Sequence, residues 1–297
     1  MARETNIYSP PVLPQSKKSH WEIFKHDTSA TIGLTILFVL LLLSLLSPLI
    51  SEDPHIQNAS ADLIPPSWHA AGSPDNLLGT DILGRDLFSR LIKGASLTIG
   101  TSTIVVALAL LIGISLGILV ASFRGFIQLI IMRTMDVILA IPSLVIAIIV
   151  VAIMGPGLMN AGIAVSIALV PNFVRLTRSY IIEEMSKPYV AAARLDGAKP
   201  GRVLLKIILP NVAAPLIIQT TISLSTAIVD IAALGFLGFG AQAPLPEWGT
   251  MLAEARTSMY VAPWSIITPG IAILVTVLCI NLVGDGLNTA INSKSRT

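Results

Sequence analysis

"YVAAARLDGAKPGRVLLKIILPN", residues 189–211, lies between two long apolar runs and crowds Arg194, Lys199, Arg202 and Lys206 around Gly197 and Pro200. What flanks it decides how it is read. The chain of 297 residues is 54% hydrophobic and 12% charged, with a mean hydropathy of +0.80. A soluble domain carries about a quarter charged residues. This much apolar surface exceeds what one soluble core of this length hides, so lipid is the solvent for much of the chain.

Six runs approach the roughly 20 apolar residues that cross about 30 Å of hydrocarbon: 31–50, 97–122, 135–154, 161–174, 212–234 and 266–283. The fold expected is all-α, a polytopic membrane protein with six transmembrane helices. Basic residues favour the cytoplasmic side of short loops. With the N-terminus inside, the inner segments hold Arg3, Lys17, Lys18, Lys25, Arg124, Arg133, Arg175, Arg178, Lys187, Arg194, Lys199, Arg202, Lys206, Lys294 and Arg296. The outer segments hold only Arg85, Arg90, Lys93 and Arg256, fifteen against four. Both termini are therefore expected in the cytoplasm. The plan is a polar segment 1–28, then a transmembrane domain 29–297. That domain has external pieces at 51–96 and 238–265 and a cytoplasmic loop at 175–206. The first apolar run is too long for a cleavable signal sequence and is expected to stay as an anchor.

Composition also excludes. The net charge is +2, without basic runs interleaved with aromatics, so no nucleic-acid surface is expected. His20, His26, His55 and His69 lack metal-ligand spacing, and Cys279 is alone, so no metal or disulfide is expected.

The opening stretch falls in the cytoplasmic loop. Ser186 is placed to cap a short helix, with Pro188 in its first turn. Tyr189, Val190, Ala192, Ala193 and Leu195 then form one small, mildly apolar face. Gly197 suits the left-handed turn that ends a helix. Pro200 opens a second short helix, which Pro210 is expected to kink where the next span begins. A helix without bulky side chains can lie deep in another protein's groove, with basic residues on the rim guiding orientation. An ordinary solvated loop obeying the charge rule fits these residues as well.

The stretch resembles the "EAA" coupling loop of permease subunits of ATP-binding-cassette (ABC) importers: E-A-A, three residues, G, nine residues, I-x-L-P. Ala191-Ala192-Ala193, Gly197 and Ile207-Ile208-Leu209-Pro210 fall at that spacing, with Ala191 where the family has Glu. "LLGTDILGRDLFSRLIKGAS" (77–96), "MRTMDVILAIPSL" (132–144), "LGFLGFGAQAPLPEWGTML" (234–252) and "LVGDGL" (282–287) are similar to the C-type permeases of the dipeptide/oligopeptide/nickel branch. "RLDGA" (194–198) and "YVAPW" (260–264) lean toward the antimicrobial-peptide-resistance (Sap) permeases, with the dipeptide permeases beside them.

The resemblance implies the type I importer permease fold in a bacterial inner membrane and import of a peptide. Haem, a polyamine or a nickel complex are the alternative cargo. It implies three kinds of partner besides membrane lipid: a homologous second permease, two ATPase subunits and a periplasmic solute-binding protein. ATP and Mg²⁺ belong to the ATPases, and this chain is non-catalytic and carries no cofactor. Tyr189, Ala191, Ala192, Ala193, Arg194, Asp196, Gly197, Pro200 and Pro210 would form the ATPase-coupling loop.

Other residues carry open readings. Thr80, Asp81, Gly84, Arg85 and Asp86 form a Gly-punctuated turn with an acid–guanidinium pair, either a rigid external collar or a contact for the binding protein. Asp230 lies in "STAIVDIAALGF" near the outer end of the fifth run. A membrane-embedded acid marks a functional site by default, so Asp230 either faces the pathway or pairs with a neighbouring helix. Arg133 and Asp136 are spaced to pair on one helix face, and Pro142 is expected to kink the third run. Gly113 and Gly117 form a GxxxG pair suited to close helix packing. Gly235, Gly238 and Gly240 follow an apolar run rather than a strand, which excludes a dinucleotide fingerprint. No G-x-x-x-x-G-K-[ST] is present, and no chain of acids or histidines suits a proton relay. A self-sufficient carrier and a non-transporting scaffold are the rival readings.

Overall fold

The computed structural model describes residues 20–292 apart from 51, 52, 55, 59 and 124. The segment 1–19 with Arg3, Lys17 and Lys18, and also Glu52, His55, Arg124, Lys294 and Arg296, lie outside the described residues. Everything regular among the described residues is helical. α1 (His20–His26) leads into α2 (Thr28–Leu45), which Asp27 caps by accepting from Ala30 N at 3.1 Å. After α3 (Ser47–Ile50) an irregular segment leads to α4 (Leu87–Ser122), capped by Asp86. α5 (Phe126–Leu139), α6 (Ser143–Met154) and α7 (Leu158–Met185) follow. Next come α8 (Pro188–Leu195), α9 (Pro200–Val203), a π turn (Leu204–Ile208) and α10 (Leu209–Phe236). α11 (Trp248–Ala255) and α12 (Pro263–Asn292) close the chain.

Five helical stretches among the described residues are long and apolar enough to cross a membrane, taking 200–236 as one. α5 and α6 together make a sixth, but they are bent by 98° at their break. The third expected span, 135–154, is therefore two helices and not a kinked one. Pro142 lacks an N–H and its ring excludes the carbonyl four residues back, while Ile141 before it is pushed out of helical geometry. Pro210 does the opposite of what was expected. It sits in the first turn of α10, and the π turn before it widens the ladder, with Leu209 N bonding Leu204 O, so the helix runs on without a break. The fourth span, expected over 161–174, extends as α7 to Met185 despite Pro171.

α4 and α7 form the central pair. The GxxxG spacing is used here: a Cβ on Gly113 would stand 2.2 Å from Phe173 Cβ, and one on Gly117 2.6 Å from Thr177 Cβ. Around this contact one core joins Val106 and Ala109 of α4, Val151 of α6, Val165 and Phe173 of α7, and Ile231 of α10. α12 packs on α2 and α10 through glycines, Gly286 against Ala30 and Gly284 against Thr221. α11 sits on α10, where a Cβ on Gly249 would meet Ala232 O at 2.2 Å. The outward faces of α2, α4 and α12 carry Phe38, Leu111 and Leu274, as lipid contact requires.

Gly113→Ala is expected to cost about 1–3 kcal/mol through overpacking, seen as a lowered melting temperature in detergent. Gly100→Ala, within α4 where a Cβ meets nothing within 4 Å, is the control, whose melting temperature helix propensity should hold level or raise slightly. Equal stabilities would contradict the close α4–α7 contact.

Candidate functional site

The basic stretch folds as a closed hairpin between α7 and α10. Pro188 opens α8, but its N-cap is Lys187 and makes no side-chain cap bond. The expected cap, Ser186, instead ends α7, its hydroxyl donating to Glu183 O at 2.6 Å. At the far end Gly197 takes φ +82°. Gly197 N bonds Arg194 O and Ala198 N bonds Ala193 O, each at 3.1 Å. These two bonds are a Schellman closure, which turns the chain toward α9. A Cβ on Gly197 would meet nothing within 4 Å, so only the backbone angle demands glycine there.

The face expected to be small and mildly apolar divides in two. Val190 is fully buried and joins the main core with Val203 and Ile208. Burying one such side chain stabilises by about 1.5–3 kcal/mol, so α8 is seated on the transmembrane domain. Ala191, Ala192 and Leu195 point outward, Leu195 being 88% exposed. Arg194, Asp196, Lys199, Pro200 and Pro210 are exposed around them. Ala193 is half-buried.

A polar lock holds the base of the hairpin. Glu184, buried at the end of α7, accepts from Lys187 Nζ and from Tyr189 Oη. Tyr189 Oη in turn accepts from Asn211 Nδ2 at 3.1 Å, so α7, α8 and α10 meet at one tyrosine. The hydrogen bond to Glu184 raises the Lys187 pKa. Sequence reasoning missed Glu184 and Asn211. Both lie at the edges of apolar runs, where polar residues are ordinary.

At the opposite end of α10, the stretch from Thr80 to Asp86 forms a compact turn. Thr80 Oγ1 donates to Ala61 O at 2.6 Å and accepts from Ile64 N at 2.8 Å. Gly84 has φ +68°, and a Cβ there would stand 2.0 Å from Asn58 O. Asp86 accepts from Ser89 N at 2.8 Å as the cap of α4. Asp81 and Arg85 pair at 2.6 Å, as their spacing promised. The structure adds two partners. Glu254 of α11 accepts from Arg85 at 2.7 Å and from Arg90 at 2.8 Å, and Arg90 also lies 3.6 Å from Asp81. Both guanidinium side chains are 1% exposed. No local pattern could have found Glu254, which is 169 residues from Arg85.

Beside this cluster Glu247 caps α11 and accepts from Thr98 Oγ1 and Thr250 N, each at 3.0 Å. Burial pushes its carboxyl up, against the hydrogen bonds from Gly249, Thr250 and Thr98. The collar end exposes the apolar side chains of Ile82, Leu83, Tyr260 and Val261, alongside the charged Asp62, Asp75 and Arg256.

Asp230 lies apart from both ends, within α10. It is 7% exposed, its Oδ2 has no hydrogen-bond partner, and the polar side chain set against it is that of Ser143, the first residue of α6. Asp136 pairs more closely with Arg175 of α7, at 2.6 Å, than with Arg133, at 3.9 Å. α5 is thus tied across the basic end of α7. Among the described residues no group of three or more His, Cys, Asp or Glu is placed to hold a metal.

Residues 113–297 match the family model of the binding-protein-dependent transport system inner membrane component. Residues 18–66 match that of the N-terminal transmembrane domain of oligopeptide transport permease C. The chain is 48% identical over 286 residues to the di/tripeptide transport system permease protein DppC of Pseudomonas aeruginosa, covering 95% of this chain and 94% of the relative. To the peptide transport system permease protein SapC of Escherichia coli it is 43% identical, covering 96% and 97%. A chain of the MetNI methionine ABC transporter, solved in inward-facing conformations, shares the fold. It has 21% identity and a TM-score of 0.56 over 66% of this chain and 93% of its own length.

Glu254→Ala leaves two buried guanidinium groups sharing Asp81 as their one acid and is expected to cost about 3–5 kcal/mol, read as a steep fall in melting temperature after normal membrane insertion. Arg256→Ala, at an exposed site, should leave it unchanged. A Glu254→Ala protein as stable as its parent would mean that the cluster does not hold the collar.

Proposed function

This chain belongs to the binding-protein-dependent transport system inner membrane components, in the branch of the dipeptide and peptide permeases, and on that premise we propose how its parts divide the work. It is a multi-pass inner-membrane permease subunit of an ABC importer. Its cargo is a peptide, in keeping with the names of the relatives that match it nearly end to end. It forms half of the pathway beside a homologous permease, with both termini and the hairpin in the cytoplasm. Two ATPase subunits bind ATP with Mg²⁺ and hydrolyse it, and this chain is non-catalytic.

The observation that carries this reading is the hairpin. Its outward face of Ala191, Ala192 and Leu195 is small around one apolar knob, as insertion into a groove requires. Its inward face, through Val190, is continuous with the core. Closure of the ATPases would push α8, and the Glu184–Tyr189–Asn211 lock would pass that displacement to α7 and α10 together. At the other end, Arg85 and Asp81 are buried and already bonded to each other, and serve as the rigid base. The binding protein would dock on the exposed Ile82, Leu83, Tyr260 and Val261. Asp230 faces the pathway.

The test uses the complete transporter in proteoliposomes, with ATPase activity stimulated by peptide-loaded binding protein. Gly197→Val puts a β-branched residue at positive φ, costing about 1–2 kcal/mol or more. It should abolish the stimulation while the chain still inserts. Gly197→Asn, which tolerates that conformation, should keep it. A Gly197→Val transporter with full stimulation would refute the coupling role.

A further inference from the structure

Resting on the importer reading above, we propose that Asp230 and the start of α6 form an amine-recognition site within the pathway, one that binds the ammonium group of a linear peptide. Four carboxylates are buried among the described residues: Asp81, Glu184, Glu247 and Asp230. In the first three, both oxygens are bonded. Asp81 is held by Arg85 and the backbone N–H of Leu83 and Arg85. Glu184 is held by Lys187 and Tyr189, and Glu247 by Thr98 and Thr250. These are finished structural contacts. Asp230 alone keeps a buried oxygen, Oδ2, without a partner. An acid in a membrane is costly and is retained where a cation meets it.

The surroundings select the cation. A single carboxylate with one hydroxyl beside it, and no further acid, suits a singly charged group that donates hydrogen bonds and not a divalent metal. α6 begins after a 98° break inside an apolar stretch, and no side chain caps its N-terminus. Val145 N and Ile146 N bond Pro142 O, which leaves the first two N–H groups, of Ser143 and Leu144, and the partial positive charge for a carbonyl or carboxylate. Broken helices present such ends to anionic substrate groups in other transporters. A peptide offers both halves: an ammonium for Asp230 Oδ2 and a carbonyl oxygen for α6. The approach is polar as well. Gln219, Ser223 and Thr226 precede Asp230 at spacings of four, three and four, so all four share one face of α10. Gln219 also lines a cavity of about 300 Å³ with Tyr180 and Asn288.

The complete transporter, reconstituted with its binding protein, is assayed for uptake of labelled dialanine and for binding-protein-stimulated ATPase activity. Asp230→Asn is expected to lower uptake about tenfold while stimulation stays within about twofold, and Asp230→Glu to recover part of the uptake. Unchanged uptake in Asp230→Asn, or loss of uptake and stimulation together, would overturn the proposal. A second measurement does not depend on transport. In a Cys279→Ser, Ser143→Cys background, a cationic thiosulfonate should label faster than an anionic one. Dialanine should slow that labelling and N-acetyl-dialanine should not. Labelling indifferent to reagent charge and peptide would also overturn the site. Absent stimulation of the parent transporter by the binding protein would count instead against the importer reading.

Discussion

Force applied to a short helix moves a membrane domain only if the two are joined without slack, and the α4–α7 contact supplies that stiffness. With glycine at positions 113 and 117, Phe173 and Thr177 of α7 rest directly on the α4 backbone. Close packing of this kind transmits displacement, because interiors have few voids to absorb it. α7 leads from that contact to Glu184 and the hairpin. Val190 extends the same core into α8 itself. The hairpin is therefore packed into the domain and not a loop appended to it.

The two ends of the molecule solve the cost of polar groups differently. At the basic end, charged side chains such as Arg194, Lys199 and Arg202 stay exposed. At the collar end they are buried and paired, Arg85 and Arg90 converging on Glu254 and Asp81. Buried pairs of this kind are poor sources of net stability but fix geometry, since either partner alone is strongly destabilising. A fixed base and a stiff opposite end with exposed charge are what the proposed work between two partners needs.

Local rules were legible in the sequence where one residue sufficed. Gly197 announced a left-handed turn, Gly113 and Gly117 a close helix contact, and the Asp81–Arg85 spacing an ion pair; the structure has all three. Proline marked a disruption but not its form. Pro142 separates two helices, whereas the turn before Pro210 absorbs the missing bond. Ser186 looked like a cap, but the preceding helix reaches it first. Contacts between distant segments left no trace: Glu254 with Arg85, Glu247 with Thr98, Asp230 with Ser143. The helices were readable from periodicity and apolar length, and the partners that complete each site came only from packing.

The central claim is that the outward face of α8 seats in an ATPase subunit. A photoactivatable residue in place of Leu195, 88% exposed at the end of that face, tests it in native membranes. The account predicts a single crosslinked product joining this chain to an ATPase subunit, lost when the same group replaces buried Val190. Crosslinks to lipid alone, or none that depend on position, would contradict it.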